Sequence, residues 1–115
     1  MAEFFSRASL SPDGYDPNVW VSLYDVKTTT LGAMIFDFSI TNTTTDKDIT
    51  LEAKLVDRDG NMIHYILGPT TLKKNGISWD NTQKVVLMPG DRLLIKASDV
   101  GACFYASILS NVKTF

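Results

Sequence analysis

Few residues in this chain carry reactive chemistry, and their spacing decides how far each could go. His64 is the single histidine and lies between Ile63 and Tyr65 in a stretch that reads as strand. A general base needs an oriented nucleophile and a third group to hold the imidazole. A zinc site needs three or four ligands of matching type. One histidine supplies neither, so His64 reads as a structural or surface residue. Cys103, the single cysteine, sits among Ala102, Phe104 and Tyr105. A nucleophilic thiol needs nearby positive charge to lower its pKa, and no basic cluster flanks it, so it reads as a small buried hydrophobe.

The carboxylates fare no better. Asp57, Asp59 and Asn61 alternate as calcium ligands do, but Gly60 follows Asp59 directly and the spacing of an EF-hand loop fails. A hairpin turn explains the same residues. Asp46 with Asp48, and Asp37 with Glu52, could in principle act as the paired carboxylates of a glycosidase. They read instead as solvated strand faces. Trp20, Trp79, Tyr15, Tyr24, Tyr65 and Tyr105 could form a sugar-stacking platform, although aromatics also serve as ordinary core and interface residues. No catalytic residue, metal ligand or cofactor is assigned, and the chain reads as a non-enzyme.

The elements that position these residues are strands. Residues 31–42, LGAMIFDFSITN, alternate, with Met34, Phe36, Phe38 and Ile40 on one face. Residues 48–57 do so more cleanly, with Ile49, Leu51, Ala53 and Leu55 inward. Asp59-Gly60 between two apolar runs is the strongest short-range hairpin signal, and Asn75-Gly76 is a second turn. Gly68-Pro69 is expected to break the returning strand. Residues 87–98, LMPGDRLLIKAS, read as strand, Pro-Gly-Asp turn, strand, a hairpin closing the sheet. The last long strand covers 102–110. Seven to eight short strands without a convincing helix predict an all-β fold, a single antiparallel β-sandwich of jelly-roll or immunoglobulin-like type. Met34, Phe36, Phe38, Leu51, Leu55, Leu93, Ile95 and Phe104 are the expected core.

Residues 1–18 show no period and contain the breaker clusters Ser11-Pro12-Asp13-Gly14 and Asp16-Pro17-Asn18. They are expected to form an extended N-terminal arm ahead of a sandwich domain at 19–115. The totals agree with one domain: 115 residues, 44% hydrophobic, 21% charged and a net charge of −2. That balance gives no basic footprint for nucleic acid and no polybasic signal for a membrane surface. No apolar run is long enough for a spanning helix, and the start lacks the pattern of a secretory signal. The sequon-like Asn42-Thr43-Thr44 therefore carries little weight.

The stretch SITNTTTDKDITLEAKLVDRDG, the connection Thr71-Leu72-Lys73-Lys74-Asn75-Gly76, the run KVVLMPGDRLLIKAS and the closing strand GACFYASIL together resemble small β-sandwich virion proteins of tailed bacteriophages, of the neck, tail, fibre-attachment or head-decoration type. The resemblance covers about residues 31–110. It implies a non-catalytic structural role in an assembled particle, made in the cytoplasm of a bacterial host. Its expected partners are other virion proteins and further copies of the chain, with no nucleic acid and no membrane. Apolar residues on faces opposite the main set (Leu94, Val56, Ile63, Tyr65, Leu67, Val86 and Leu109) fit such contacts. The expected subunit contacts are Phe4, Phe5 and Tyr15 from the arm, with Val56, Tyr65 and Leu94 from the sheets. The competing expectation is a β-sandwich carbohydrate-binding module for host-surface recognition, resting on Trp20 and Trp79.

Overall fold

A computed structural model describes residues 2–28, 30–82 and 84–112, with only the backbone described at 2–4 and 112. Among these residues there are nine strands and no helix: β1 (Ala2–Leu10), β2 (Val21–Asp25), β3 (Thr30–Asn42), β4 (Ile49–Val56), β5 (Met62–Leu72), β6 (Ser78–Asn81), β7 (Val85–Leu87), β8 (Arg92–Ala97) and β9 (Ala102–Val112).

The pairing is nested. β1 pairs β9, β2 pairs β8, β3 pairs both β7 and β6, and β4 pairs β5, all antiparallel. The chain is thus one long hairpin whose tip is the Asp59-Gly60 turn. Gly60 takes a φ of +84° there, which glycine adopts without steric cost. Asp57 braces the tip, its Oδ1 accepting from the Asp59 and Asn61 amides at 2.9 and 3.0 Å. Rolled up, the hairpin gives two sheets, ordered β1-β9-β3-β6 (with β7 beside β6 along β3) and β2-β8-β4-β5. This is the jelly-roll arrangement, with its sixth strand split into β6 and β7.

Rolling changes the role of the Pro89-Gly90-Asp91 turn. It joins β7 in the first sheet to β8 in the second, so 87–98 is a crossing between layers and not a hairpin. Asp91 is buried in it, accepting the Met88 amide through Oδ2 at 2.8 Å. Gly90 has a φ of +91°, and a Cβ there would come within 2.8 Å of the Arg58 Cβ. The strand before Gly68-Pro69 does not break either: β5 runs through both to Leu72. It lies at the edge of its sheet, where a proline need not donate a ladder hydrogen bond.

Residues 2–10 are strand rather than free arm. β1 pairs β9 continuously from Ala2↔Val112 to Leu10↔Phe104, so the backbone groups it turns toward β9 are satisfied by the sheet. Residues 11–20 then cross between the layers. The Asp13 amide donates to the Val100 carbonyl at 2.9 Å and the Asn18 amide to the Ala97 carbonyl at 2.7 Å.

The core lies between the sheets and contains Phe38, Ile40, Ile49, Leu51, Leu87, Leu93, Ile95, Phe104 and Ile108. Met34 and Phe36, expected here, are not in it. The β3–β9 ladder slips between Ile35 and Asp37. A bulge of this kind inverts which residues face inward, so Ala33 and Ile35 are buried before it and Phe38 and Ile40 after it. Asn42, at the end of β3, is wholly buried. Its Nδ2 donates to the Lys47 and Leu72 carbonyls at 2.8 and 3.0 Å, and its Oδ1 accepts from the Thr44 amide and hydroxyl at 3.0 and 2.8 Å. The sequon asparagine is thereby a structural clasp on the 43–47 loop.

Candidate assembly surfaces

The bulge in β3 has a second effect: it turns Met34 and Phe36 outward. Strand partners share a face of the sheet. The outer face of the β1-β9-β3-β7 sheet therefore carries a row of four apolar residues, Phe5↔Leu109↔Met34↔Val86. Phe5 is 79% exposed and Val86 64% exposed. The Phe5 ring meets that of Phe36 edge-on, with centroids 6.3 Å apart. Beside the row, Leu31, Met34, Val86, Met88, Leu109 and Asn111 line a shallow hollow of about 310 Å³. One step along the strands the face becomes charged, as Arg7↔Ser107↔Asp37. Neither Arg7 nor Asp37 makes an ion pair with a described residue.

The outer face of the other sheet is built on Trp20. Lys54 Nζ lies 4.1 Å from the Trp20 ring centroid and Lys96 Nζ 5.0 Å from it. Lys96 also reaches Glu52 Oε2 at 3.1 Å. Leu94 sits half-buried on this face between Ser22 and Lys54, and Tyr65, 41% exposed, pairs beside Lys54 on β5. These two remain available for contact.

Two of the expected contact residues belong instead to the chain's own interior. Tyr15 is only 8% exposed. Its ring packs edge-on against Phe104 at 5.5 Å. Its hydroxyl donates to the Ala102 carbonyl at 2.7 Å and accepts the Ala102 amide at 3.0 Å. Burial pushes this hydroxyl up to about 12. The turn residues around Tyr15 are what deliver it there, so it pins the 11–20 crossing to the sandwich. Val56 is 1% exposed: the β4–β5 ladder slips between Leu55 and Val56, and the strict alternation that would turn it outward fails. Phe5 lies on the outer face, while the Phe4 side chain falls outside the described residues.

The chemical candidates stay dispersed. Asp37 and Glu52 lie on different sheets. The Asp57 carboxylate is spent on the turn amides, and no three of His, Cys, Asp or Glu among the described residues converge as metal ligands do. Asp48 and Asp99 are held below the ordinary carboxylate range, Asp48 chiefly by the Lys74 amide and Asp99 by Lys47. His64 borders a cavity of about 440 Å³ between β5 and β6–β7, with Leu55, Ile66, Trp79, Asn81 and Lys84. Trp79 is turned inward there, edge-on to Phe38 at 5.7 Å. Trp20 and Trp79 therefore lie on different sheets and form no common platform. Cys103 is half-buried on the outer side of β9 and not a core residue. Among the described residues no helix is long and apolar enough to cross a membrane.

No protein-family model matches the chain, and no curated protein matches it in sequence. It is similar in fold to solved structures that include phage capsid proteins and virus particles. A chain of the acid-stable capsid of Helicobacter pylori bacteriophage KHP30 matches 99% of this chain and 90% of its own length, with a TM-score of 0.53 and 11% identity. A pentameric capsid protein isolated from metagenomic phage sequences matches 93% of this chain, with a TM-score of 0.52 and 7% identity. A chain of the T13 infectious bursal disease virus particle matches 96% of it, with a TM-score of 0.50 and 12% identity. The fold is theirs. The chain spans 61% of the pentameric phage protein and 28% of the bursal disease virus chain.

Proposed function

We propose that this chain is a non-catalytic structural subunit of a virus particle, assembling with copies of itself and with other virion proteins in a bacterial host. The observation that carries the reading is the apolar row Phe5–Leu109–Met34–Val86 on the outside of a fold shared with capsid proteins. Apolar residues contiguous across four strands are costly to leave in water and mark an interaction site. The nested jelly roll leaves both outer faces free to meet neighbours, and among the described residues no group of reactive side chains competes with that role. The phage neighbours favour a place in the shell, as capsid or head-decoration subunit, over neck, tail or fibre attachment.

The test is the state of the purified protein. Light scattering and negative-stain electron microscopy are expected to show discrete multimers or shells. Leu109→Asp, which puts a charge in the centre of the apolar row, is expected to dissolve them. A monomer that binds glycans, and loses that binding on Trp20→Ala or Trp79→Ala, would replace this reading with carbohydrate recognition.

A further inference from the structure

The charges beside the apolar row are arranged about β9. Arg7 and Asp37 pair with the same residue, Ser107, from opposite sides. Their Cα atoms therefore stand about 5 Å to either side of β9. One row along, Phe5 and Met34 flank Leu109 in the same way. A two-fold axis laid along β9, in the plane of contact, exchanges the two sides. It places Arg7 of each copy over Asp37 of the other, Phe5 over Met34, and Leu109 over its own counterpart.

We infer that the outer face of the β1-β9-β3-β7 sheet packs against the same face of a second copy, with the two-fold axis running along β9. This names the partner of the apolar face and rests on the assembly reading above. Charge complementarity supports a second copy as the occupant: one operation reciprocally pairs two charges that have no ion-pair partner among the described residues, as an isologous interface requires. Three strands overlap under this axis, because β1 of one copy lies over β3 of the other and β7 falls outside the contact. Three strands and the nine residues of β1 give about 15 by 30 Å, or about 450 Å² per copy. Two copies together bury about 900 Å², the size of a weak, reversible contact. Sheets stacked face to face pack with strands within about 30° of each other. The rows at 107 and 109 lie next to the axis, so that angle leaves them in register.

The test is a charge swap read by analytical ultracentrifugation of the full chain. Arg7→Asp places like charges opposite each other twice per dimer, as does Asp37→Arg. Each is expected to weaken self-association tenfold or more. The double variant restores both pairs with reversed sign and is expected to return to within about threefold of the parent. Arg7 is exposed and Asp37 only half-buried, and circular dichroism checks that each variant folds. Self-association that ignores the single swaps, or single swaps that the double variant does not rescue, would overturn this geometry while leaving the assembly reading in place. A chain that stays monomeric at every concentration would overturn both.

Discussion

Tyr15→Phe isolates one hydroxyl while keeping the ring that packs on Phe104. The hydroxyl both donates to the Ala102 carbonyl and accepts the Ala102 amide, at 2.7 and 3.0 Å, in a buried site. Removing it leaves a buried amide without an acceptor and weakens the carbonyl's satisfaction. A buried polar group stranded in this way costs about 1–3 kcal/mol, and a loss of about 2 kcal/mol lowers the melting temperature of a domain this size by about 8 °C. Urea unfolding should show a lower midpoint with an unchanged slope, because the same surface is exposed. The pH dependence supplies a second signature. The Tyr15 pKa rises from 10.0 to about 12 on folding, chiefly through burial. The neutral hydroxyl's contribution is thus complete below pH 10 and is lost as pH rises from about 10 through about 12. The gap between parent and variant should narrow over that window. A variant within about 0.5 kcal/mol of the parent, or a gap independent of pH up to 12, would refute the claim that Tyr15 anchors the 11–20 crossing.

Other substitutions probe separate parts of the fold. Gly90→Ala combines a positive φ with a Cβ 2.8 Å from that of Arg58, and should cost about 2 kcal/mol in denaturant unfolding. Asn42→Ala removes the buried clasp to Lys47, Leu72 and Thr44, with an expected loss of about 3 kcal/mol in the same assay. Asp48 is held below its usual pKa by the Lys74 amide first and Lys73 after it. Its contribution is present above pH 4 and falls away below it, so Asp48→Asn should lower the neutral plateau of a melting-temperature profile slightly and converge with the parent in acid, which flattens the acid limb.

The strands were legible in the sequence where alternation was uninterrupted. β4 and β8, with Leu51, Leu55, Leu93 and Ile95 inward, follow directly from period-two patterning. Asp59-Gly60 correctly marks a hairpin, and it proves to be the tip of the whole roll. What was not legible depends on distant pairing. The bulge between Ile35 and Asp37 inverts β3 and moves Met34 and Phe36 from core to surface. β1 lacks alternation because Phe5, Arg7 and Ser9 face out opposite β9 while Ser6 sits on an inward row; nothing local distinguishes such a strand from an arm. The Pro89-Gly90-Asp91 turn has hairpin residues, but whether its strands pair or part into two layers is decided by nested partners some 50 residues away. The same holds for the candidate surface. Val86 and Leu109 stood out as apolar residues opposite the main set, yet only pairing across four strands assembles them with Phe5 and Met34. Tyr15 looked like an arm contact because the sequence does not show that the crossing folds back onto Ala102.

The most direct test of the central claim is the mass of the purified particle, measured by native mass spectrometry on the untagged chain. A structural subunit predicts discrete multimers of the 12.7 kDa chain that Leu109→Asp converts to smaller species. A single monomer peak, unchanged across concentration and insensitive to Leu109→Asp, would contradict it.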